Sequence, residues 1–224
     1  MRWRKRQGYG ASTAYSTYAA GWAGRHAGLP TVTVTGIDFT ASRVEAAGRL
    51  TKRVRLDHLV DFVHGDATAM PLEDACYDVV MSQEAWLHIP DKAAVVEQCA
   101  RVVKPGGVIA FTDIVQNTPL SAEEARRVAG EMHAPQIAFK DQYEELLTRN
   151  RCLLELHEDL SEDWKRILVE RQKMYRSLRD TTIAKFGEAR FAEYDSAYSH
   201  FVGLFVAGKL GGVRMVARRN PRLA

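Results

Sequence analysis

From Thr31 onward, apolar residues come in short unbroken runs separated by stretches with helical spacing. Residues 32–37 form a β-branched run that ends in Asp38 and predicts a strand. Ser42 stands as a helix N-cap, Glu45 completes a capping box three residues on, and the helix runs to about Arg55. Residues 59–64 predict a second strand, closed by Gly65-Asp66. Residues 77–81 predict a third, and their unbroken apolar character predicts a parallel strand covered on both faces. Asp91 opens an amphipathic helix with Ala94, Val95, Cys99 and Val102 on one face. Lys104-Pro105-Gly106-Gly107 stops that helix, and residues 108–114 predict a fourth strand. Strands alternating with helices at this spacing predict an α/β domain with a parallel sheet.

After Pro119 the pattern changes. Residues 121–132 and 140–150 read as helices, 152–158 as a strand, 162–185 as a long charged amphipathic region, and 188–208 as a further helix. Gly211-Gly212 and residues 213–217 make a last strand. A strand, a long helical excursion and a returning strand predict an antiparallel hairpin at the sheet edge. With no internal repeat and no low-complexity linker, residues 31–224 read as one domain with a helical insert at about 119–208. Residues 1–30 differ: a basic, aromatic start leads into a stretch rich in Gly, Ala, Tyr, Ser and Thr that keeps neither period.

Composition changes this picture little. With 224 residues, 46% apolar and 26% charged, the chain resembles an ordinary soluble domain. A net charge of +3 is too small to point to nucleic acid. The three cysteines lack CxxC spacing, so no zinc site or disulfide framework is expected and no metal is called for. No apolar run reaches membrane-spanning length and no signal core follows the basic start, so the expected location is cytoplasmic.

In an open parallel sheet, ligands bind beyond the carboxyl ends of the strands. Asp38 ends the first strand, where a carboxylate accepts both hydroxyls of a ribose; a helix N-cap or turn residue is the equal alternative. Asp66 follows the second strand, where it accepts from an exocyclic adenine amine while the next N–H meets a ring nitrogen; a plain turn aspartate is at least as common. Ser82-Gln83-Glu84 follows the third, with Trp86 and His88 just beyond. Met132, His133, Tyr143, Tyr175 and Tyr198 of the insert read equally well as pocket, core or surface.

Taken together, Val34-Thr35-Gly36-Ile37-Asp38, Gly65-Asp66-Ala67 with Met70-Pro71, Tyr77-Asp78-Val79-Val80 and Arg101 through Gly107 resemble the class I S-adenosylmethionine-dependent methyltransferase core over residues 31–115. Ser82-Gln83-Glu84-Ala85-Trp86-Leu87-His88 is similar to the sarcosine/dimethylglycine N-methyltransferase branch and its phosphoethanolamine-methylating relatives, as is the C-terminal half. The resemblance implies a Rossmann-like, seven-stranded, mostly parallel sheet with helices on both faces, S-adenosyl-L-methionine as cofactor, and a small-molecule acceptor, an amine nitrogen above others. It further implies that Asp38 and Phe39 meet the ribose side of the cofactor, Asp66 and Ala67 the adenine, and Gln83 the reactive end. His88 takes the place of a histidine that helps deprotonate the acceptor amine.

The family normally opens with a strand and a glycine-rich turn of the form D-x-x-x-G-x-G-G, whose glycines let the backbone approach the cofactor. Residues 14–30 occupy that place without the string: Trp22 separates Gly21 from Gly24 and no acid precedes them. Read one base out of register, the codons for 14–30 permit V-L-D-V-C-S-G-L-G-G-P-A-R-W-L-A. The Trp22–Ala23 junction then forces a glycine. The expectation is that residues up to about Pro30 are out of frame, with chance the competing reading, since degenerate codons permit many strings. The first strand is therefore atypical. Two other classes stay open: a degenerate methyltransferase fold that serves as an interaction module without cofactor, and a dinucleotide oxidoreductase, which Gly65-Asp66-Ala67 and the Lys-Pro-Gly-Gly turn speak against.

Overall fold

The computed structural model describes residues 32–221, so the expectations for residues 1–30 lie outside the described residues. The chain divides into two compact units, Met1–Glu73 and Asp74–Ala224. In the first, β1 (Val34–Asp38), α1 (Ala41–Arg53) and β2 (Val60–His64) form a parallel β-α-β unit, with Val34 opposite Val60 and Asp38 opposite His64. Buried Leu56, Leu59 and Val60, with Val34 and Phe62 packed on them, make its core. The helix starts differently from the expectation. Its N-cap is Thr40, without a side-chain cap bond, and Ser42 lies inside the helix, so the box with Glu45 does not form. The reason is Asp38, whose Oδ1 accepts the Thr40 N–H at 2.8 Å and closes the turn two residues earlier. Lys52 and Arg53 sit in the last turn, where cations suit the carbonyl end.

The second unit contains β3 (Tyr77–Gln83), a 3-10 turn at Trp86–His88, α2 (Lys92–Val102), β4 (Val103–Gln116), α3 (Ala122–Glu131), α4 (Lys140–Arg149), β5 (Cys152–Asp159), α5 (Ser161–Ser177), α6 (Arg179–Phe186), α7 (Glu188–Val206) and β6 (Leu210–Arg219). Its four strands run in the order β3-β4-β6-β5. β3 and β4 are parallel, and β6 is antiparallel to both β4 and β5. The expected edge hairpin is thus present, with β6 inside the sheet and β5 at its border. Asp91 caps α2, accepting from Ala94 N–H at 2.9 Å. Ser121 and Glu124 form a full capping box on α3. The charged region expected at 162–185 is two helices, parted at Leu178.

Lys104-Pro105-Gly106-Gly107 does more than stop α2. Tyr77 pairs with Val103 but Val79 pairs with Val108, so these residues bulge from the β3–β4 ladder. Gly106 takes the left-handed conformation at φ 80°. A Cβ on Gly107 would stand 2.7 Å from the Asp78 carbonyl oxygen, closer than any side chain tolerates.

The described residues hold six strands, in sheets of two and four. One sheet expectation needs correction: β3 is not covered on both faces, with Val79 50% and Met81 64% exposed. Within its unit β3 is a border strand, hydrogen-bonded to β4 alone among the described residues, so its apolar side chains lack neighbours on one side.

Candidate active site

In the first unit, the parallel register brings Asp38, Phe39, Asp66 and Ala67 to one end of the β1–β2 pair. The Gly65 N–H donates to the Asp38 carbonyl at 3.1 Å, tying the two strand ends together. A Cβ on Gly65 would lie 2.9 Å from Pro71, so the turn closes directly on that ring. Asp66 Oδ1 accepts from the Thr68 N–H at 2.8 Å and from its hydroxyl at 2.7 Å, which fixes the carboxylate's direction. Asp38 Oδ1 is held by Thr40, and its Oδ2 lies 4.0 Å from the Arg43 guanidinium. His64 Nε2 donates to the Phe39 carbonyl at 3.0 Å, while Phe39 itself is 74% exposed. Both turn readings are therefore true, and each turn engages one carboxylate oxygen. Two oriented acceptors beside an exposed aromatic ring fit the hydroxyls, amine and flat base of an adenosyl group.

In the second unit, Gln83 ends β3 opposite Thr112. Glu84 follows with φ 49°, a left-handed conformation that costs a non-glycine residue about 1–3 kcal/mol and concentrates at functional sites. Its N–H donates to the Thr112 carbonyl at 2.8 Å. The Thr112 hydroxyl is buried without a hydrogen-bond partner among the described residues, a polar group that a ligand at this strand end would satisfy. Surrounding protein pushes the Glu84 carboxyl up, opposed by Arg171 of α5 and by a hydrogen bond with Gln83. Arg171 acts on Tyr198 of α7 as well, whose buried hydroxyl also lacks a partner among the described residues. The insert helices thereby bring charge to the end of β3.

His88 closes the 3-10 turn. Trp86 anchors the turn, its ring centroid 4.2 Å from that of Phe111 and 5.8 Å from that of Tyr143. His88 Nδ1 bonds the His133 carbonyl at 2.9 Å. A carbonyl can only accept, so Nδ1 carries the hydrogen and the basic lone pair of neutral His88 belongs to Nε2. Of the insert residues considered from sequence, His133 thus meets His88 through its backbone. Tyr143 is core, Tyr175 stacks on Phe191 at 5.0 Å, and Met132 packs against the cluster that contains Tyr198.

Two buried charged neighbours of the turn are not singled out by the sequence. Asp113 of β4 is 0% and Lys92 of α2 2% exposed. Asp113 accepts from the Leu87 N–H at 3.2 Å and from the Tyr143 hydroxyl at 2.5 Å. Lys92 donates to the carbonyls of Ile89 at 2.5 Å and Gln136 at 2.6 Å. Burial pushes the Asp113 carboxyl up to about 6 despite Tyr143 and Lys92, and pulls the Lys92 ammonium down to about 8 despite Asp113. The available signal was a lone acid inside the apolar run Phe111-Thr112-Asp113-Ile114-Val115. Among the described residues no cluster of three or more His, Cys, Asp or Glu could hold a metal, and no helix is long and apolar enough to cross a membrane.

An α/β chain with acidic groups at adjacent parallel strand ends, a helical insert and a returning antiparallel strand is of the class that binds an adenosyl cofactor beyond its strand ends. Known proteins show what the chain is similar to. A methyltransferase domain model matches residues 10–111. The 27-O-demethylrifamycin SV methyltransferase of Amycolatopsis mediterranei (strain S699) is 28% identical over 193 residues, covering 84% of this chain and 69% of that protein. The glycine/sarcosine/dimethylglycine N-methyltransferase of Actinopolyspora halophila is 30% identical over 129 residues, 58% of this chain and 23% of its own length. A crystal structure from Galdieria sulphuraria, provisionally assigned as a sarcosine dimethylglycine methyltransferase, superposes with a TM-score of 0.80 at 21% identity, over 94% of this chain and 77% of that one. The chain carries a methyltransferase domain and is similar in sequence and fold to S-adenosylmethionine-dependent methyltransferases, among them structural neighbours solved with S-adenosylmethionine bound. These likenesses speak against the dinucleotide oxidoreductase reading.

Proposed function

We propose that this chain transfers the methyl group of S-adenosylmethionine to the nitrogen of a small amine, with His88 as proton acceptor. The observation that carries this is the His88–His133 hydrogen bond, which leaves the basic lone pair on Nε2. Relatives divide on the acceptor: one is named for an oxygen position, another for glycine, sarcosine and dimethylglycine nitrogen, and a structural neighbour for carbon methylation of geranyl diphosphate. The turn carrying His88 favours an amine, because an ammonium has to lose its proton before its lone pair can attack, and an imidazole is suited to accept that proton.

When bound, S-adenosylmethionine supplies a methyl group already activated by the sulfonium. Asp38 accepts the ribose hydroxyls with Phe39 beside it, Asp66 and the Ala67 N–H take the adenine edge, and Gln83 lines the reactive end. His88 Nε2 takes the acceptor's proton, and the remaining contribution of the protein is alignment in a dry pocket. The family's seven strands remain the proposed sheet, supported by the six described ones. The frameshift reading of residues 14–30 belongs to the same proposal, and an intact gene whose alternative frame lacks the D-x-x-x-G-x-G-G string removes it.

The test is calorimetric titration of the full chain with S-adenosylmethionine, followed by labelled-methyl transfer to a panel of small amines, alcohols and phenols. Asp38→Ala is expected to weaken cofactor binding by about 10- to 100-fold, the loss of a charge-assisted hydrogen-bond pair. His88→Gln is expected to lower turnover by ~10²–10⁴-fold with cofactor affinity retained. Turnover unchanged by His88→Gln, or transfer to alcohols alone, overturns the amine reading.

A further inference from the structure

His88 is exposed and sits on a three-residue turn, yet its imidazole is directed by a set of groups that are almost fully buried. Lys92 follows the N-cap of α2, a position that normally faces water, and instead its ammonium is enclosed and bonded to two carbonyls. One carbonyl belongs to Ile89, whose own N–H donates to Trp86 and closes the turn. The other belongs to Gln136, three residues beyond His133. Lys92 therefore clamps together the end of the turn and the segment whose carbonyl meets His88. Asp113 holds the turn from the sheet side through the Leu87 N–H and is itself braced by Tyr143 of α4.

His133 adds a second sign of constraint. It lies at φ 54°, a conformation a histidine keeps only when its surroundings impose it, and it is its carbonyl that receives Nδ1. The Gln116 side-chain amide donates to the Ile137 carbonyl at 2.7 Å, fixing the same segment from β4. A buried cation and a buried acid are poor choices for stability alone, because well-packed apolar side chains of similar volume do as well or better. What they supply is direction.

We infer that Lys92, Asp113 and Tyr143 are positioning residues that hold the Trp86–His88 turn against the His133–Gln136 segment, so that His88 is kept as the Nδ1–H tautomer with Nε2 as its base. The inference rests on the reading of His88 as proton acceptor for its catalytic meaning, but the tautomer itself is independent of any reaction. A lone imidazole in water favours hydrogen on Nε2, so the opposite tautomer is a property the protein imposes. Lys92 and Asp113 act through backbone, on the peptide groups of Ile89, Gln136 and Leu87 that flank the turn and its partner segment, and Tyr143 acts through Asp113.

The experiment is long-range proton–nitrogen correlation of the full chain labelled with ring-¹⁵N histidine, at a pH where imidazoles are neutral, with the His88 signals assigned by their loss in His88→Gln. The wild-type chain is expected to show His88 as Nδ1–H. Lys92→Met and Tyr143→Phe, each checked for fold by near-ultraviolet circular dichroism, are expected to give the Nε2–H form or a mixture. In labelled-methyl transfer they are expected to lower kcat by about 10- to 100-fold with cofactor affinity changed less than about twofold. An Nε2–H tautomer in the wild-type chain overturns the inference without any variant, and an unchanged tautomer in both folded variants does so as well. If the tautomer follows the expectation while His88→Gln transfers methyl groups normally, the frame stands and the base reading falls.

Discussion

The Tyr143 hydroxyl gives Asp113 its principal stabilising bond, and replacing Tyr143 with Phe removes it with almost no change in volume. Even after Tyr143 and Lys92 offset part of the burial penalty, the net cost of ionising Asp113 is large: between its ordinary 3.8 and the folded value of about 6, ~1.4 kcal/mol per pH unit amounts to about 3 kcal/mol. A raised acid favours the native state fully below pH 3.8, and that contribution is lost as pH rises through about 6. Tyr143 limits the loss, because a hydrogen bond to a charged group contributes about 1.5–3 kcal/mol and one to a neutral group about 1 kcal/mol. Tyr143→Phe is therefore expected to cost about 2–3 kcal/mol at pH 7.5 and about 1 kcal/mol at pH 5, with Asp113 titrating about one to two pH units higher than in the wild-type chain. Lys92, lowered to about 8, remains mostly charged up to pH 7.5 and is present in both proteins, so it does not set the difference between them. Urea unfolding followed by circular dichroism at the two pH values measures it, and Asp113→Asn as background should remove the pH dependence. A Tyr143→Phe cost that is equal at both pH values, or larger at pH 5, refutes the reasoning.

Gly107→Ala should destabilise the second unit by about 1–3 kcal/mol, since the new methyl group cannot coexist with the Asp78 carbonyl without shifting the β3–β4 ladder; thermal unfolding checks it, and an unchanged midpoint counts against the bulge. Lys209 donates to both carboxylate oxygens of Glu124 at 2.6 and 2.8 Å, and with the Ser121 N–H holds that carboxyl down to about 2. A lowered acid contributes stability above 4.5 that is lost as pH falls through about 2. In acid titrations the difference between wild type and Lys209→Met should accordingly be complete at pH 6 and gone near pH 2; a difference that persists at pH 2 assigns it to lost packing instead.

How far the sequence could be read depended on whether neighbours along the chain decide the outcome. Asp91 capping α2 is such a case, because the acceptor and the Ala94 N–H it meets are three residues apart. The strands β1, β2 and β4 were equally plain, as short β-branched runs with turn residues at their ends. Ser42 was misread because its competitor was also local but less obvious: a strand-terminal aspartate can close a turn before the serine is reached. Long-range pairing hid the rest. Lys92 follows an N-cap and reads as a solvated charge until Gln136 closes over it, 44 residues away. Tyr143 could not be sorted between pocket and core because its partner lies on β4. Of the expected site residues, the register joins Asp38, Phe39, Asp66 and Ala67 in one unit and places Gln83 and His88 at the end of β3 in the other, while His88's orientation required knowing where His133 lies.

β6 is the last of the described strands to be made, yet it pairs with β4 on one side and β5 on the other. Until it is made, β4 and β5 have no contact with each other in the sheet, and some 50 residues of helix lie between β5 and the strand that joins it to the rest. The second unit therefore cannot close its sheet before β6 is made, however early its helices form. Pairings of such sequence separation are slow to find, so a nascent chain holds two half-finished borders until β6 arrives. Premature release, or a mutation that weakens β6, would leave those borders to pair with other chains.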